Sequence, residues 1–256
     1  MFRTRLKKEI VTEFLPPRRM GTKLAGKRDK VIVLCDGMPS MPRKQGLAEF
    51  LAQKGYWVFY PRYRGAWESG GQFLERSPQE DIRDLVDEIA KGKIREVTFG
   101  QRFELAAKEI FVIGGSFGGA AAILASLDPR VKKVIANCPV VDWSILAKSE
   151  ETETSNPNYA AYIREAFGGA YRLSDRNWKK LSGGKFYNPM FHARAITASK
   201  VLMFHAQDDP HVPYESVLRF AERTGVRLKT FRRGGHLSTD GIVRGEWKRI
   251  REFFEG

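Results

Sequence analysis

Cysteine is scarce in this sequence, with only Cys35 and Cys138 among 256 residues. Two cysteines cannot build the disulfide framework that small secreted proteins use, and they fit a reducing compartment. Long apolar runs are also lacking, because the longest one, residues 118–127, is about half the length of a membrane-spanning helix. The basic N-terminus has no apolar signal-peptide segment behind it. These features predict a cytoplasmic protein that does not bind membranes.

The remaining composition is that of a folded domain. Hydrophobic residues make up 42% of the chain and charged residues 29%, which provides for a large core and excludes a disordered chain. A length of 256 residues fits one domain. We therefore expect residues 1–256 to form a single domain.

Acidic residues are outnumbered. The chain has 44 Lys and Arg against 30 Asp and Glu, a net charge of +14, and residues 1–30 contribute half of the excess. A field of this sign attracts anions and binds nucleic acid loosely. Zinc-finger spacing, an aromatic RNA-binding signature and basic heptads are all missing, so no specific nucleic-acid partner is predicted. A solvated basic surface is the simpler interpretation, and a non-catalytic basic binding protein is kept as an alternative.

Short β-branched runs alternate with helical patterns along the chain. Residues 30–35 (KVIVLC) form a continuous apolar run, typical of a strand buried on both faces. Residues 79–91 carry apolar side chains at the spacing of an amphipathic helix. Further strands are predicted at 56–60, 109–114, 131–137, 200–205 and 227–232, and further helices at 44–54, 116–127, 214–224 and 241–254. The alternation predicts an α/β fold with a mostly parallel central sheet and helices on both faces.

One segment interrupts this alternation. Between Pro139 and Lys200 there is no strand-like run, and residues 143–191 contain nine aromatic residues, an excess over the 12% of the whole chain. Insertions of this length in a compact sheet are usually functional, so residues 142–196 are predicted to form a helical lid over a site. Alternatively, the aromatic side chains form only a small core of their own. The candidate substrate-pocket residues are Trp67, Trp143, Trp178 and Phe186.

Residues 109–120 (EIFVIGGSFGGA) contain a G-x-S-x-G pattern between a predicted strand and a predicted helix. In such a turn the serine occupies a strained backbone conformation, and flanking glycines let the strand and the helix approach. The hydroxyl then lies at a helix N-terminus, where free N–H groups favour negative charge. Glycine-rich helix starts also bind phosphate or serve packing alone, but the strand–turn–helix context favours Ser116 as a nucleophile.

A nucleophilic serine needs a base and an orienting acid. Of the four histidines, His236 follows the last predicted strand and is therefore expected at the same sheet edge as Ser116, whereas the other three are expected to be structural or solvated. The acid is one of the adjacent aspartates Asp208 and Asp209, since only one of them can face His236. A metal site at His205, Asp208 and His211 lacks further ligands, and neither a metal nor a cofactor is predicted.

Several stretches together resemble the α/β-hydrolase superfamily, in particular prolyl oligopeptidase-type catalytic domains and their stand-alone serine esterase relatives. They are CDGMP at 35–39, YRGAWESGG at 63–71, PVVDW at 139–143, HAQDDPHVP at 205–213 and GGH at 234–236. The resemblance spans about residues 30–256 and selects Asp209 as the acid, four residues before a proline. It also implies that the amides of Met38 and Phe117 form the oxyanion hole. Asp36 replaces the family's usual histidine, and an aspartate can steady the loop through its own backbone hydrogen bonds.

The resemblance implies a serine hydrolase that cleaves carboxylic esters through Ser116, His236 and Asp209 and an acyl-enzyme. No propeller sequence precedes the hydrolase unit, which favours an esterase over a peptidase or acyl-peptide hydrolase using the same residues. The expected substrate is a small ester or a short acyl-peptide.

Overall fold

β-Branched and aromatic runs become the strands of one eight-stranded sheet in a computed structural model, which describes residues 1–17, 29–146 and 159–256. In sheet order the strands are β1 (Phe2–Leu6), β2 (Ile10–Leu15), β4 (Trp57–Pro61), β3 (Asp29–Cys35), β7 (Ala107–Gly115), β8 (Val131–Asn137), β9 (Val201–Ala206) and β10 (Arg227–Phe231). In this order the six strands from β4 onward pair in parallel, whereas β2 pairs antiparallel with both β1 and β4. A separate hairpin pairs β5 (Lys93–Arg95) with β6 (Arg102–Glu104).

Helices cover both faces of the sheet, as the sequence predicts. They are α1 (Gln45–Gln53), α2 (Pro78–Ala90), α3 (Phe117–Ala125), α4 (Trp143–Leu146), α5 (Tyr159–Phe167), α6 (Asp175–Lys179), α7 (Tyr214–Thr224), α8 (Thr239–Gly245) and α9 (Trp247–Glu255). Strand β3 is buried on both sides: Val31 and Val33 pack in one core with α2, α3 and α7, and Ile32 and Leu34 in another with α1, α8 and α9. The chain has the α/β-hydrolase fold, with a mostly parallel sheet and helices on both faces.

Two features at the chain ends differ from the prediction. The N-terminal hairpin of β1 and β2 was not predicted, and it extends the sheet beyond β4 with Arg3 and Arg5 exposed while Thr4 and Leu6 are buried. The single helix predicted at 241–254 is instead two helices, which meet at Glu246. No helix within the described residues is long and apolar enough to cross a membrane.

The candidate lid at 142–196 is built of short helices in the part that the structure describes, while its residues 147–158 lie outside the described residues. Single β-bridges join this insertion to the loop after β4, pairing Ala66 with Tyr171 and Phe73 with Leu173. The insertion is thereby attached to the loop that the YRGAWESGG motif occupies.

Candidate active site

Ser116 lies on the turn between β7 and α3, with a backbone φ of 56°. This left-handed conformation is rare for a residue with a side chain and is typical of strained functional turns. The turn requires glycine on either side: a Cβ at Gly114 would lie 2.0 Å from the carbonyl oxygen of Gly118, and one at Gly118 would lie 2.4 Å from the carbonyl oxygens of Cys35 and Asp36. The strand and the helix therefore approach as closely as the G-x-S-x-G pattern predicts.

His236 lies on the loop between β10 and α8 and contacts Asp209, on the loop after β9. Its Nδ1 is 2.9 Å from Asp209 Oδ2 and 3.1 Å from Oδ1. Burial acts to raise the pKa of Asp209, but the hydrogen bond and charge of His236, with the backbone N–H groups of His211 and Val212, outweigh it and lower the pKa to about 2. Asp209 is therefore ionised at neutral pH and holds the Nδ1 side of the imidazole.

Asp208 has a different position. Its carboxylate accepts hydrogen bonds from the backbone N–H of Gly234 at 3.2 Å and of Gly235 at 2.8 Å. It therefore anchors the loop that carries His236 and does not contact the imidazole ring. Of the two adjacent aspartates, Asp209 is the one that the fold brings to His236.

The other histidines divide into two kinds. His205 is fully buried, and its Nε2 donates to the carbonyl oxygen of Val212 at 3.0 Å, which agrees with a packed residue. His211, which was expected to be structural or solvated, packs its ring edge-on against His236 with centroids 5.2 Å apart and lines the same cavity. Among the described residues, the one group with metal-ligating atoms within 4.8 Å of one another is Cys138, Asp209 and His236, and it does not include the set suggested by the sequence.

The loop that carries Met38 is fixed through Asp36. One carboxylate oxygen of Asp36 accepts from the N–H of Gly37 at 3.1 Å and lies 3.4 Å from Lys44 Nζ, while the other accepts from the Tyr60 hydroxyl. The Tyr63 hydroxyl donates to the Asp36 carbonyl oxygen at 3.3 Å. The aspartate steadies this loop partly through a hydrogen bond to the local backbone, at Gly37, as the sequence predicts, and partly through two tyrosines that the sequence analysis did not identify.

Ser116 and His236 line a common cavity of about 430 Å³. Within the described part of the chain no hydrogen bond joins Ser116 Oγ to the imidazole, and such bonds commonly form only in the substrate complex. The cavity also reaches both candidate oxyanion residues, Met38 and Phe117. Its lining includes aromatic and aliphatic side chains, those of Val140, Trp143, Tyr159, Tyr162, Val212 and Leu237.

The four candidate pocket residues have different positions. Trp143 lines the cavity, whereas Trp67, Trp178 and Phe186 are not among its lining residues. The Trp178 ring instead packs behind Tyr159, with centroids 5.6 Å apart. Phe186 lies under the ammonium of Lys180 at 5.3 Å, and Trp67 donates a hydrogen bond to the carbonyl oxygen of Ser40. The aromatic excess of the insertion gives no indication of which rings face the cavity, because that depends on tertiary packing.

Comparisons with known proteins agree with this fold. An esterase from Pyrococcus furiosus is 19% identical with a TM-score of 0.67, the match covering 100% of this chain and 89% of that chain. A Butyrivibrio proteoclasticus esterase with bound ferulic acid is 15% identical with a TM-score of 0.67, covering 100% of both chains. The Pyrococcus horikoshii acylaminoacyl peptidase is 20% identical with a TM-score of 0.68, and the match spans 99% of this chain but 40% of that one.

A search of curated protein sequences found no match. The model of the prolyl oligopeptidase family matches residues 44–255, most of the chain. This protein belongs to the prolyl oligopeptidase family of serine hydrolases.

Proposed function

We propose that the protein is a serine esterase in which Ser116 is the nucleophile, His236 the general base and Asp209 the orienting acid. The observation that carries this proposal is the position of Ser116, on a strained turn at the start of α3, in the same cavity as an imidazole whose Nδ1 is bonded to an ionised carboxylate. The strained turn exposes the serine hydroxyl, and an adjacent base that is oriented by a third group activates it.

The reaction follows from this arrangement. With its proton on Nδ1, facing Asp209, His236 presents an unprotonated Nε2 that removes the proton from Ser116 Oγ. Oγ attacks the ester carbonyl carbon, and the backbone N–H groups of Met38 and Phe117 stabilise the resulting oxyanion. Collapse of the tetrahedral intermediate transfers the proton from His236 to the departing alcohol and leaves the acyl group on Ser116. A water molecule, deprotonated by His236, then attacks the carbonyl carbon of the acyl-enzyme. Collapse of this second intermediate breaks the bond to Ser116 Oγ, which takes the proton back from His236, and releases the carboxylic acid.

The described cavity wall favours an ester over a substrate with a free amino terminus. Asp36 is the one carboxylate among the described lining residues, and the Gly37 N–H, the Tyr60 hydroxyl and the Lys44 ammonium already engage it. An ammonium group of a substrate therefore has no free carboxylate partner on this wall. The apolar side chains of the lining fit an acyl chain or an aromatic acid, and two of the similar folds belong to esterases.

The second candidate is an acyl-peptide hydrolase that uses the same three residues. The observation favouring it is the likeness to an acylaminoacyl peptidase across 99% of this chain. An acylated peptide also lacks a free amino terminus, so the cavity wall accommodates both substrate classes.

The two cysteines concern the cellular compartment. Cys35 and Cys138 are both free and buried, which supports a cytoplasmic location.

The test is to compare the wild-type protein with Ser116→Ala on matched substrates. A fluorophosphonate probe is expected to label the wild-type protein and not the variant. Turnover of p-nitrophenyl esters at a much higher kcat/KM than acyl-aminoacyl anilides supports the esterase, and the reverse order supports the peptidase. Absence of both labelling and turnover in the folded wild-type protein would leave the non-catalytic basic binding protein as the function.

We further propose that the insertion sets substrate size, because Trp143, Tyr159 and Tyr162 bring its side chains into the cavity wall. Tyr162→Ala is expected to shift the preferred acyl chain length gradually, since one methylene in such a pocket changes binding by about 1–3 kcal/mol. Phe191→Ala is the matched control, because Phe191 belongs to the same insertion and is similarly exposed but does not line the cavity. An unchanged chain-length profile in Tyr162→Ala and Trp143→Ala would show that the insertion does not select the substrate.

A further inference from the structure

Two aromatic side chains hold the far end of the loop that carries Met38. Ser40, two residues after Met38, donates its backbone N–H to the Tyr171 hydroxyl at 3.0 Å. The carbonyl oxygen of Ser40 accepts from Trp67 Nε1 at 3.1 Å and from the Tyr171 hydroxyl at 3.3 Å. Both polar groups of the Ser40 backbone are therefore bound to side chains from distant parts of the chain.

Tyr171 is well fixed for this contact. The residue is 4% exposed, and its ring packs against Phe73 and Phe167 at centroid distances of 5.1 and 5.8 Å. A phenol hydroxyl has one proton to donate and lone pairs to accept with, and Ser40 uses both functions. Burial raises the pKa of Tyr171, so the hydroxyl keeps its proton and continues to donate.

The position of Trp67 is enforced by the insertion. Trp67 has a backbone φ of 49°, a strained conformation for a residue with a side chain. Its backbone N–H donates to the carbonyl oxygen of Ala170 at 2.6 Å, and its backbone carbonyl oxygen accepts from the Arg172 guanidinium at 3.1 Å. The same guanidinium also binds the carbonyl oxygens of Ser69 and Gly71. The insertion thus fixes the backbone that carries the Trp67 indole.

We propose that Trp67 and Tyr171 are positioning residues for the oxyanion hole, which fix the Met38 N–H by holding Ser40. This inference rests on the proposed function, in which the Met38 N–H binds the oxyanion. It also gives Trp67, whose side chain is absent from the cavity wall, a role in catalysis that does not involve touching the substrate.

The effect depends on where one hydrogen-bond donor, the Met38 N–H, is placed. An oxyanion donor is effective when it lies about 2.7–3.1 Å from the position of the developing charge, and losing one such donor costs about 10²–10³ in kcat. Met38 lies between two fixed points: Asp36, held by Tyr60, Tyr63 and Lys44, and Ser40. When the Ser40 contacts are removed, the loop remains fixed at one end only and the donor is displaced rather than lost.

The test uses Tyr171→Phe and Trp67→Phe, which remove the hydrogen-bonding atoms and keep aromatic rings in place. Matched controls are Tyr56→Phe and Trp247→Phe, because those rings pack in the other core and do not line the cavity. For each variant, kcat and KM are measured on one p-nitrophenyl ester. The affinity for an alkyl boronic acid, whose tetrahedral adduct with Ser116 mimics the transition state, is measured as well.

We expect Tyr171→Phe to lower kcat by about 10- to 100-fold with KM changed by less than about threefold, and to lower the boronate affinity by the same factor as kcat/KM. Trp67→Phe is expected to act in the same direction, and the double variant to lose less than the product of the two losses, since both side chains hold one carbonyl group. The two control variants are expected to match the wild-type protein.

Two outcomes would overturn the inference: a kcat within twofold of the wild type in both variants, or a lowered kcat with an unchanged boronate affinity. If Tyr171→Phe does not fold, Trp67→Phe decides, because its indole makes an independent bond to Ser40. A wild-type protein without ester turnover or Ser116 labelling refutes the proposed function and the inference together. An active, labelled wild type with equally active variants refutes the inference alone.

Discussion

Replacement of Asp209 by asparagine tests the proposed triad most directly. Asp209 Oδ1 accepts two backbone N–H groups, from His211 at 2.9 Å and from Val212 at 3.1 Å. In Asp209→Asn the amide oxygen is held in that position, because only an acceptor satisfies both N–H groups. The amide nitrogen then occupies the Oδ2 position, 2.9 Å from His236 Nδ1, and donates a hydrogen bond to it.

The consequence is a change of tautomer. With Nδ1 accepting, the imidazole proton moves to Nε2, which can then no longer take a proton from Ser116. In a well-studied serine protease the same exchange lowers kcat by about 10⁴ without disturbing the geometry. We expect a loss of about this size here, in kcat/KM for a p-nitrophenyl ester, with an unchanged circular dichroism spectrum near neutral pH.

Asp208→Asn is the matched control. An asparagine there still accepts one of the two N–H groups that bind the Asp208 carboxylate, so the loop before His236 keeps part of its anchor. The expected loss is less than about tenfold, since exposed hydrogen bonds of this kind contribute little. A folded Asp209→Asn variant with more than one hundredth of the wild-type activity, or an Asp208→Asn variant that is the more damaged of the two, would contradict the assignment.

Further predictions concern the turn and acid stability. Ser116→Ala is expected to lower kcat by about 10⁴ or more with an unchanged circular dichroism spectrum, and substantial residual activity would exclude Ser116 as the nucleophile. Gly118→Ala is expected to lower the free energy of unfolding by about 1–3 kcal/mol or more, because the added Cβ meets backbone at 2.4 Å, whereas the same change at Gly46, with its nearest contact at 3.6 Å, is expected to be tolerated. The fold lowers the pKa of Asp209 from its ordinary value of 3.8 to about 2. Ionised Asp209 therefore stabilises the folded protein above about pH 4, and this contribution is lost as the pH falls toward 2. Urea midpoints of Asp209→Asn across that range should therefore decline less steeply than those of the wild type.

The core of the fold was predictable because its signals are local. Continuous apolar runs such as KVIVLC become central strands, with bounds within one or two residues of those expected. The N-terminal hairpin was missed because Arg3 and Arg5 alternate with the buried Thr4 and Leu6, and the excess charge obscured a two-residue periodicity. The break at Glu246 follows Gly245, a poor helix former that ends α8, but apolar periodicity does not register a single glycine and therefore extends one helix across it.

The site was predictable where a motif carries its own geometry and not where packing decides. The G-x-S-x-G pattern contains the steric reason for its turn. The residues alone left Asp208 and Asp209 open, and the family resemblance selected Asp209, the one that contacts His236. The hydroxyls of Tyr60 and Tyr171 meet the loop around Met38 from distant segments, the second from 131 residues along the chain, and only the fold brings them there. Trp67 was a candidate pocket residue, whereas its indole N–H donates a hydrogen bond to the backbone carbonyl oxygen of Ser40.

Two neighbouring stretches of the described insertion make different contacts, one with the cavity and one with the loops around it. Tyr159 and Tyr162 of α5 line the cavity, whereas Tyr171 and Arg172, a few residues later, are bonded to the loops around Ser40 and Trp67. Substitutions on α5 can therefore reshape the acyl pocket while the bonds to Ser40 stay in place. Under the proposed function, new substrate preferences are accessible without rebuilding the groups that accelerate the reaction.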